Sequence, residues 1–346
     1  MFWNVFILII SFLSAFFLTP YFARLALKCD VVDKPSHRKV HKKILPLWGG
    51  LTLGSSFLIT FIILFIISFL ASLFSVKQAF FSDILTWRNF LLGRQFLGVV
   101  FAGVVVVGVG VADDKWGLPP KVKLLGQLLA CTVLLYFGVR VFSLTIPFTH
   151  FSISLFPVIG GFFTLAWMLL LMNAFNFIDG LDGLASGVAV IVAMIFFIIL
   201  INSIPHATTL FTRRSLILAS YLSIFVIGST LAFLIFNFHP AKVFLGDSGS
   251  MFLGFMLASI TIIGALKSAA ALAIFIPVIV IGIPIFDAVY VIVKRIRAGL
   301  PVSKADKGHL HHHLLALGFT HRQVVLILYF LSAVLGGISL LLAKYH

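Results

Sequence analysis

Five aspartates stand in three short polar motifs, and each motif adjoins a strongly apolar segment. The five are Asp113 and Asp114, Asp179 and Asp182, and Asp247. The chain has no glutamate, so all ten of its acidic residues are aspartates. Carboxylates are costly to hold at membrane depth, and their clustering at the ends of apolar segments therefore indicates a functional site.

The first motif covers residues 113–123 and contains two consecutive prolines. A proline pair stops a continuing helix, so the motif is predicted to turn at the membrane surface. Neighbouring residues on a helix face different directions, and Asp113 and Asp114 are therefore expected to have different roles. A purely structural alternative is an aspartate pair that caps the helix and pairs with Lys121 or Lys123.

The second motif is the most regular of the three, because polar side chains recur in it every three residues. These are Asn173, Asn176, Asp179 and Asp182. Asn173 and Asn176 are predicted to face one side of the last turn of a helix. The two glycines of the motif, Gly180 and Gly183, allow the backbone to turn and to approach a ligand closely. A simple polar turn would not need this spacing.

The third motif, residues 244–250, places Asp247 at the start of an apolar segment. Aspartate is a favourable N-cap residue, so helix capping is one interpretation. Metal binding is the other. Carboxylate and asparagine oxygens are suitable ligands for Mg²⁺, which completes its coordination with water and substrate phosphate.

The composition excludes a soluble protein. Of the 346 residues, 61% are hydrophobic and 10% are charged, and the mean hydropathy is +1.19. A helix needs about 20 apolar residues to cross a hydrocarbon core about 30 Å thick. About ten segments meet this requirement, and they predict an all-α polytopic membrane protein with a single domain over residues 1–346. The predicted spans are 4–27, 50–74, 92–112, 123–139, 158–176, 184–201, 216–236, 249–266, 270–293 and 324–343.

The distribution of lysine and arginine sets the predicted orientation, because these residues accumulate in cytoplasmic loops. Most of the 25 cations fall in one set of alternate loops. Placing that set in the cytoplasm puts both termini on the non-cytoplasmic side and all three aspartate motifs on the cytoplasmic face. A histidine cluster falls on the same face: His309, His311, His312 and His313. The first apolar segment has no cationic start and no small-residue cleavage site, so it is predicted to be a retained helix.

The remaining charge and cysteine content points to no further function. The net charge of +15 fits positive-inside loops and anionic lipid, and it also suits cytosolic anionic substrates. No nucleic-acid partner is predicted. Cys29 and Cys131 are too few and too far apart to indicate a disulfide framework or a metal site.

Five segments in this order resemble the polyprenyl-phosphate N-acetylhexosamine-1-phosphate transferases of glycosyltransferase family 4. The resemblance extends over essentially the whole chain and is greatest to the undecaprenyl-phosphate GlcNAc-1-phosphate transferases. Its elements are residues 38–41 with 46–50, Asp113 and Asp114 with Lys123, residues 173–184, residues 240–250, and residues 306–312.

The resemblance implies a role for each matching residue. Asn176 and Asp247 would bind Mg²⁺, which Mn²⁺ could replace. Asp182 would recognise the uracil of a UDP-sugar. The residues implied at the catalytic centre are Asp113, Asp114, Asp179 and Lys123. The other residues implied to contact substrate are Asn173, Lys121, His309, His311 and His312, the histidines near the pyrophosphate.

The implied reaction is attack by undecaprenyl phosphate on the sugar-bearing phosphorus of UDP-GlcNAc. It gives polyprenyl-diphospho-GlcNAc and UMP, and it starts a cell-surface glycan such as O-antigen or teichoic acid. The resemblance also implies a bacterial inner-membrane protein whose active site faces the cytoplasm, a lateral groove for the lipid, and a homodimer.

Three alternatives stay open. In the reaction itself, a double displacement through a phospho-aspartate is an alternative to direct attack. Within the family, the donor could be the muramoyl-pentapeptide nucleotide or another UDP-N-acetylhexosamine. Residues 306–312 are more similar to the GlcNAc-type relatives, but His313 stands where those relatives commonly have arginine. Intramembrane carboxylates and histidines would also suit a cation-coupled transporter. Only Asp287 is a candidate for midplane depth, and it could instead pair with Lys294 or Arg295.

Overall fold

The computed structural model describes residues 2–34, 44–73, 90–145, 152–265, 275–297 and 310–344. The described residues are mainly helical. The helices are α1 (Phe2–Lys28), α2 (Gly49–Leu73), α3 (Phe90–Trp116), α4 (Pro120–Tyr136), α5 (Pro157–Ile178), α6 (Leu184–Ser203), α7 (Leu210–Asn237), α8 (Gly246–Ala265), α9 (Phe275–Val280), α10 (Gly282–Arg297), α11 (Leu310–Ala316) and α12 (His321–Lys344). Two short antiparallel pairs join β1 (Val32–Asp33) to β2 (Leu45–Pro46) and β3 (Ser143–Thr145) to β4 (Ser152–Ser154).

The predicted all-α membrane architecture is confirmed. Among the described residues, eight helices are long and apolar enough to cross a membrane. They are α1, α2, α3, α5, α6, α7, α8 and α12, and they match eight of the predicted spans. Helix α4 also has 17 residues, but it lies three positions earlier in the chain than the predicted span 123–139 and is not among the eight. The total of ten spans and the orientation of the termini stay predictions.

The predicted span 270–293 contains two helices instead of one. Helix α9 ends at Val280 and α10 begins at Gly282. Pro284 explains the break, because it lacks the amide hydrogen that would bond to the carbonyl of Val280 in a continuous helix. Residues 266–274 lie outside the described residues.

Helix α8 is the centre of the bundle. It packs against α2, α3, α5, α6 and α7, and Phe255 and Met256 on it are fully buried. The outer helices instead expose large apolar side chains, including Phe17, Phe162 and Phe330. Such a surface suits contact with lipid. The chain is therefore a multi-pass membrane protein in which Asp247, at the start of α8, is held by the central helix.

The first turn of α8 fits between two other helices because glycines face it. A Cβ atom added to Gly110 of α3 would lie 2.2 Å from Ser248 Cα, and one added to Gly50 of α2 would lie 2.3 Å from the Ser248 carbonyl carbon. Any larger residue would push these backbones apart. This close packing fixes the position of the residue next to Ser248, which is Asp247.

The segment that begins in β2 reaches the same region. The amide of Phe244 donates to the Pro46 carbonyl at 2.9 Å, and the amide of Gly49 donates to the Phe244 carbonyl at 3.2 Å. Two backbone hydrogen bonds therefore join residues 46–50 to the third aspartate motif. The end of α1 and the start of α8 consequently lie at the same end of the bundle.

Candidate active site

Lys123 lies at the centre of a group of oxygen atoms. Its ammonium is 2.8 Å from Asp113 Oδ2 and 3.1 Å from Asp247 Oδ1, and it donates to Asn176 Oδ1 at 3.1 Å. Asn176 also donates from Nδ2 to Asp247 and to Ser250, which turns its carbonyl oxygen toward the lysine. The structure thus brings together four predicted site residues, one each from α3, α4, α5 and α8. We call these four residues the Lys123 cluster.

The two adjacent aspartates of α3 have different partners. Asp113 accepts a hydrogen bond from the amide of Leu118 at 2.7 Å, which closes the turn after α3, in addition to its ion pair in the Lys123 cluster. Asp114 accepts hydrogen bonds from the amides of Asp247 at 2.7 Å and Ser248 at 3.3 Å, and from the Ser248 hydroxyl. The first amides of a helix lack partners within the helix and attract an anion. Asp114 therefore caps α8 and positions Asp247, and its predicted role at the catalytic centre stays a prediction.

Asp179 follows the last residue of α5. Among the described residues, no donor forms a hydrogen bond with its carboxylate. Burial raises the pKa of the Asp179 carboxyl well above its ordinary value, and the negative charges of Asp247, Asp114 and Asp182 raise this pKa further. A carboxylate with these properties is available to substrate and accepts a proton more readily than an ordinary aspartate.

The turn that carries Asp179 and Asp182 is held at Gly183. This glycine has a φ of +78°, a conformation that favours glycine. The Asn237 side chain accepts from the Gly183 amide at 3.1 Å and donates to the Val243 carbonyl at 3.0 Å. The Tyr329 hydroxyl donates to the Gly183 carbonyl. Asn237 therefore joins the second aspartate motif to the segment that leads into the third.

Asp182 lies in the same turn but has partners of its own. Its Oδ2 atom is 2.8 Å from His239 Nδ1 and accepts from the amide of Ala241 at 3.1 Å. The structure therefore places Asp182 against the loop between α7 and α8, outside the Lys123 cluster. Its predicted contact with uracil stays a prediction.

Two further predicted residues lie beside the cluster without joining it. Asn173 is one turn deeper in α5 and donates to Gln127 Oε1 of α4 at 3.0 Å. Asn173 and Asn176 therefore both face α4, and their spacing predicted that they would share one side of the helix. Lys121 is exposed in the first turn of α4 and forms no ion pair with the described residues. The predicted contacts of Asn173 and Lys121 with substrate stay predictions.

The predicted histidine cluster falls largely outside the described part of the chain. His309 lies outside the described residues, and so do the side chains of His311 and His312, whose backbones belong to α11. The buried Asp287 of α10 accepts a hydrogen bond from the Leu310 amide at 2.7 Å. Asp287 therefore anchors the start of α11, which supports a structural role for this carboxylate over a place in an ion pathway.

The oxygen atoms of the Lys123 cluster fit Mg²⁺. Oxygens of Asp113, Asn176 and Asp247 already converge on one ammonium group, so they can also converge on a metal cation. Carboxylate and amide oxygens are the ligands that Mg²⁺ prefers. Charge favours the same conclusion, because one ammonium cannot offset the carboxylates of Asp113 and Asp247 together with that of the nearby Asp114.

Several residues of this region were missed by sequence reasoning. They are Gln127, Asn237, His239 and Tyr329. A sequence signal existed for Gln127, because it is a polar residue four positions after Lys123 in an apolar segment. In the structure its side chain is buried, with 2% exposed. Asn237 and His239 are polar residues at the end of an apolar span and could have been noticed for that reason. Tyr329 gave no signal, because it lies 146 positions from Gly183 in the sequence.

Comparison with known proteins gives consistent matches. The sequence profile described as glycosyl transferase family 4 matches residues 96–265. The chain is 34% identical to the probable undecaprenyl-phosphate N-acetylglucosaminyl 1-phosphate transferase of Bacillus subtilis (strain 168), over 94% of this chain and 80% of that protein. It is 37% identical to the decaprenyl-phosphate N-acetylglucosaminephosphotransferase of Mycobacterium leprae, over 91% and 77% of the two chains. It is 28% identical to the undecaprenyl-phosphate alpha-N-acetylglucosaminyl 1-phosphate transferase of Escherichia coli (strain K12), over 94% of this chain and 80% of that protein.

Proposed function

Since the chain belongs to glycosyl transferase family 4, we propose that it transfers GlcNAc-1-phosphate from UDP-GlcNAc to undecaprenyl phosphate. An oxygen of the lipid phosphate attacks the sugar-bearing phosphorus. The bond from that phosphorus to the bridging oxygen breaks, and UMP leaves. The products are undecaprenyl-diphospho-GlcNAc and UMP, and the reaction starts a cell-surface glycan at the cytoplasmic side of a bacterial inner membrane.

The observation that carries this proposal is the Lys123 cluster, in which three oxygens from three helices converge on one cation. Phosphoryl transfer depends chiefly on positioning and on charge neutralisation, and a rigid group of this kind serves both. The side chains of Lys123 and Asp113 are 15% and 7% exposed, so electrostatic interactions there are stronger than at an exposed surface.

Repulsion between the two substrates is the main obstacle to the reaction. At a separation of about 4 Å and an effective dielectric constant near 20, each pair of like charges costs about 4 kcal/mol. Lys123 supplies one positive charge. Asp113, Asn176 and Asp247 would hold Mg²⁺, which supplies charge neutralisation at the phosphates when bound.

The remaining site residues then have separate tasks. Asp114 holds the first turn of α8 and thereby orients Asp247. A phosphate monoester has a second pKa of about 6, so the lipid phosphate is already mostly dianionic at neutral pH and needs little help from a base. The free carboxylate of Asp179 is the residue available to take the remaining proton. Asp182, beside His239, is the proposed contact for the uracil.

A donor panel tests the proposal. Purified protein would be incubated with undecaprenyl phosphate and Mg²⁺, and UDP-GlcNAc, UDP-GalNAc and UDP-muramoyl-pentapeptide would be offered separately while UMP release is measured. We expect release with UDP-GlcNAc, and loss of release when Mg²⁺ is removed by a chelator. An exclusive response to the muramoyl nucleotide would replace the proposed donor, and no release from folded protein that binds lipid phosphate would refute the proposed reaction.

A further inference from the structure

A second polar group lies outside the Lys123 cluster. It contains imidazole rings in addition to a carboxylate. Asp182, His239 and His321 come from the turn after α5, the loop after α7 and the first residue of α12, and their candidate ligand atoms all lie within 4.8 Å of one another. The two imidazole rings stack, with centroids 4.3 Å apart and planes inclined by 21°. Three sequence-distant segments therefore present two imidazoles and one carboxylate at one place.

The ring of His321 interacts with the backbone of Asp182, but the geometry of this contact is poor for a hydrogen bond. Both of its ring nitrogens are shielded from solvent, and neither forms a hydrogen bond with a described residue. A shielded polar atom without a partner costs free energy, and such atoms are uncommon in folded proteins. A bound ion would supply the partner that these nitrogens lack among the described residues.

Two imidazoles and a carboxylate are typical ligands of a transition-metal dication. Zn²⁺ and its neighbours favour imidazole nitrogen, whereas Mg²⁺ favours oxygen. We propose that Asp182, His239 and His321 form a binding site for a transition-metal dication of the zinc class, separate from the Mg²⁺ position in the Lys123 cluster. Three protein ligands leave coordination positions for water or for an exogenous ligand.

The geometry requires small side-chain rotations when the ion binds. Bonds from zinc to nitrogen or oxygen are about 2.0–2.2 Å long, so no two ligand atoms of one ion are more than about 4.4 Å apart. A group that already lies within 4.8 Å is close to this limit. The three side chains are each partly exposed, so the ion can enter and leave.

One neighbouring charge opposes binding. The guanidinium of Arg322 donates to the carbonyl of His239 at 3.2 Å, which keeps a positive charge next to the group. The carboxylate of Asp182 offsets this charge. We therefore expect reversible binding that exchanges with the medium, in contrast to a permanently occupied structural site.

Binding at this group has a consequence that rests on the proposed function. If Asp182 contacts the uracil of the donor, a metal ion on the same carboxylate competes with the donor. The group would then be an inhibitory site, at which Zn²⁺ raises the KM for UDP-GlcNAc and leaves kcat at saturating donor unchanged.

The test uses Co²⁺ as a spectroscopic probe of the full-length protein, purified without a polyhistidine tag. We expect one Co²⁺ per chain with the visible absorption of a low-symmetry nitrogen and oxygen site, and displacement of this Co²⁺ by Zn²⁺. His239→Gln and His321→Gln should each weaken binding at least about tenfold. The matched control is His206→Gln, in the exposed turn after α6, which should bind Co²⁺ as the unmodified protein does.

Three results would overturn the site. The first is absence of Co²⁺ binding by the folded protein, and the second is an unchanged spectrum in both His239→Gln and His321→Gln. The third is loss of the spectrum on replacing His311, His312 and His313 together, which would assign the ion to that cluster. Thermal unfolding of every variant checks that it is folded, and Asp182→Asn replaces any histidine variant that is not.

Activity measurements separate this inference from the proposed function. Competitive inhibition by Zn²⁺ that disappears in His321→Gln would support both. Binding of Co²⁺ to a protein that has no transferase activity would retain the metal site and remove the proposed function. Transferase activity without Co²⁺ binding would retain the proposed function and remove the metal site.

Discussion

At the scale of single residues, the site is a set of aspartates with unequal environments. Asp113 and Asp247 pair with an ammonium, Asp114 bonds to the amides of a helix start, and Asp179 has no donor among the described residues. The same side chain can therefore bind a cation, hold a helix or take a proton, depending on its neighbours. Substitution by asparagine, which keeps the shape and removes the charge, distinguishes these roles.

Asp247→Asn should abolish activity through loss of the metal. The substitution removes a charged oxygen ligand and leaves the size of the side chain unchanged, so we expect affinity for Mn²⁺, used as a probe for Mg²⁺, to fall more than about 100-fold, with activity falling in parallel. Electron paramagnetic resonance of bound Mn²⁺ measures the affinity. Asp30→Asn is the matched control, because Asp30 is exposed and pairs with Lys34 at the surface. Normal Mn²⁺ affinity and turnover in Asp247→Asn would contradict the metal assignment.

Asp179→Asn should lose only part of its activity near neutral pH and should be more stable than the unmodified protein. The raised pKa means that the folded state disfavours the ionised carboxylate, so ionisation lowers stability at every pH above the unfolded value of about 3.9. Removing the ionisable group should raise the unfolding temperature at pH 7 by about 2 °C or more. The difference should shrink as the pH falls toward the unfolded pKa of about 3.9 and should vanish below it, where the carboxyl is protonated in both states. A pH series of thermal unfolding measures this, and a less stable variant at pH 7 would contradict the environment described for Asp179.

At the scale of elements, the site depends on how closely three helices approach. The first turn of α8 is held by Asp114 from α3 and is enclosed by Gly50 of α2 and Gly110 of α3. Apolar periodicity predicted each of these helices, but it could not predict their separation. The motifs indicated which residues meet, and the glycines determine how near they come.

Gly110→Ala should disrupt the site, whereas Gly108→Ala should not. The added methyl at position 110 would meet the backbone of Ser248 at 2.2 Å, and a backbone cannot move aside as a flexible side chain can. Overpacking of this kind costs about 1–3 kcal/mol, and it displaces Asp247. At position 108, on the same helix, an added Cβ meets nothing within 4 Å. Thermal unfolding and UMP release of the two variants measure the difference, and equal behaviour would contradict the packing described for α8.

At the scale of the whole molecule, the sequence predicted the membrane architecture and most of the cluster, for physical reasons. Helices must satisfy every backbone group within a bilayer, so apolar length alone indicates the spans. Carboxylates near such spans are rare enough to mark a site, which is why Asp113 and Asp247 were found, and Asn176 was found from the three-residue spacing of the second motif. The break at Ile281 was missed because the predicted span was judged on hydropathy without weighing Pro284. Contacts made by Tyr329 depend on packing between distant segments, which no local pattern encodes.

Orientation is a property of the whole molecule that can be tested with a native side chain. Cys29 is exposed and Cys131 is buried, so a membrane-impermeant maleimide should react with Cys29 alone. The end of α1 lies at the same end of the bundle as Asp247, and the distribution of cations predicts that this end is cytoplasmic. We therefore expect labelling of Cys29 in inside-out membrane vesicles and none in intact cells. In a Cys29→Ser background, His206→Cys at the opposite end of α6 should show the reverse pattern. Labelling of Cys29 from outside intact cells would show that the predicted orientation is wrong. The site would then face away from a cytosolic nucleotide donor.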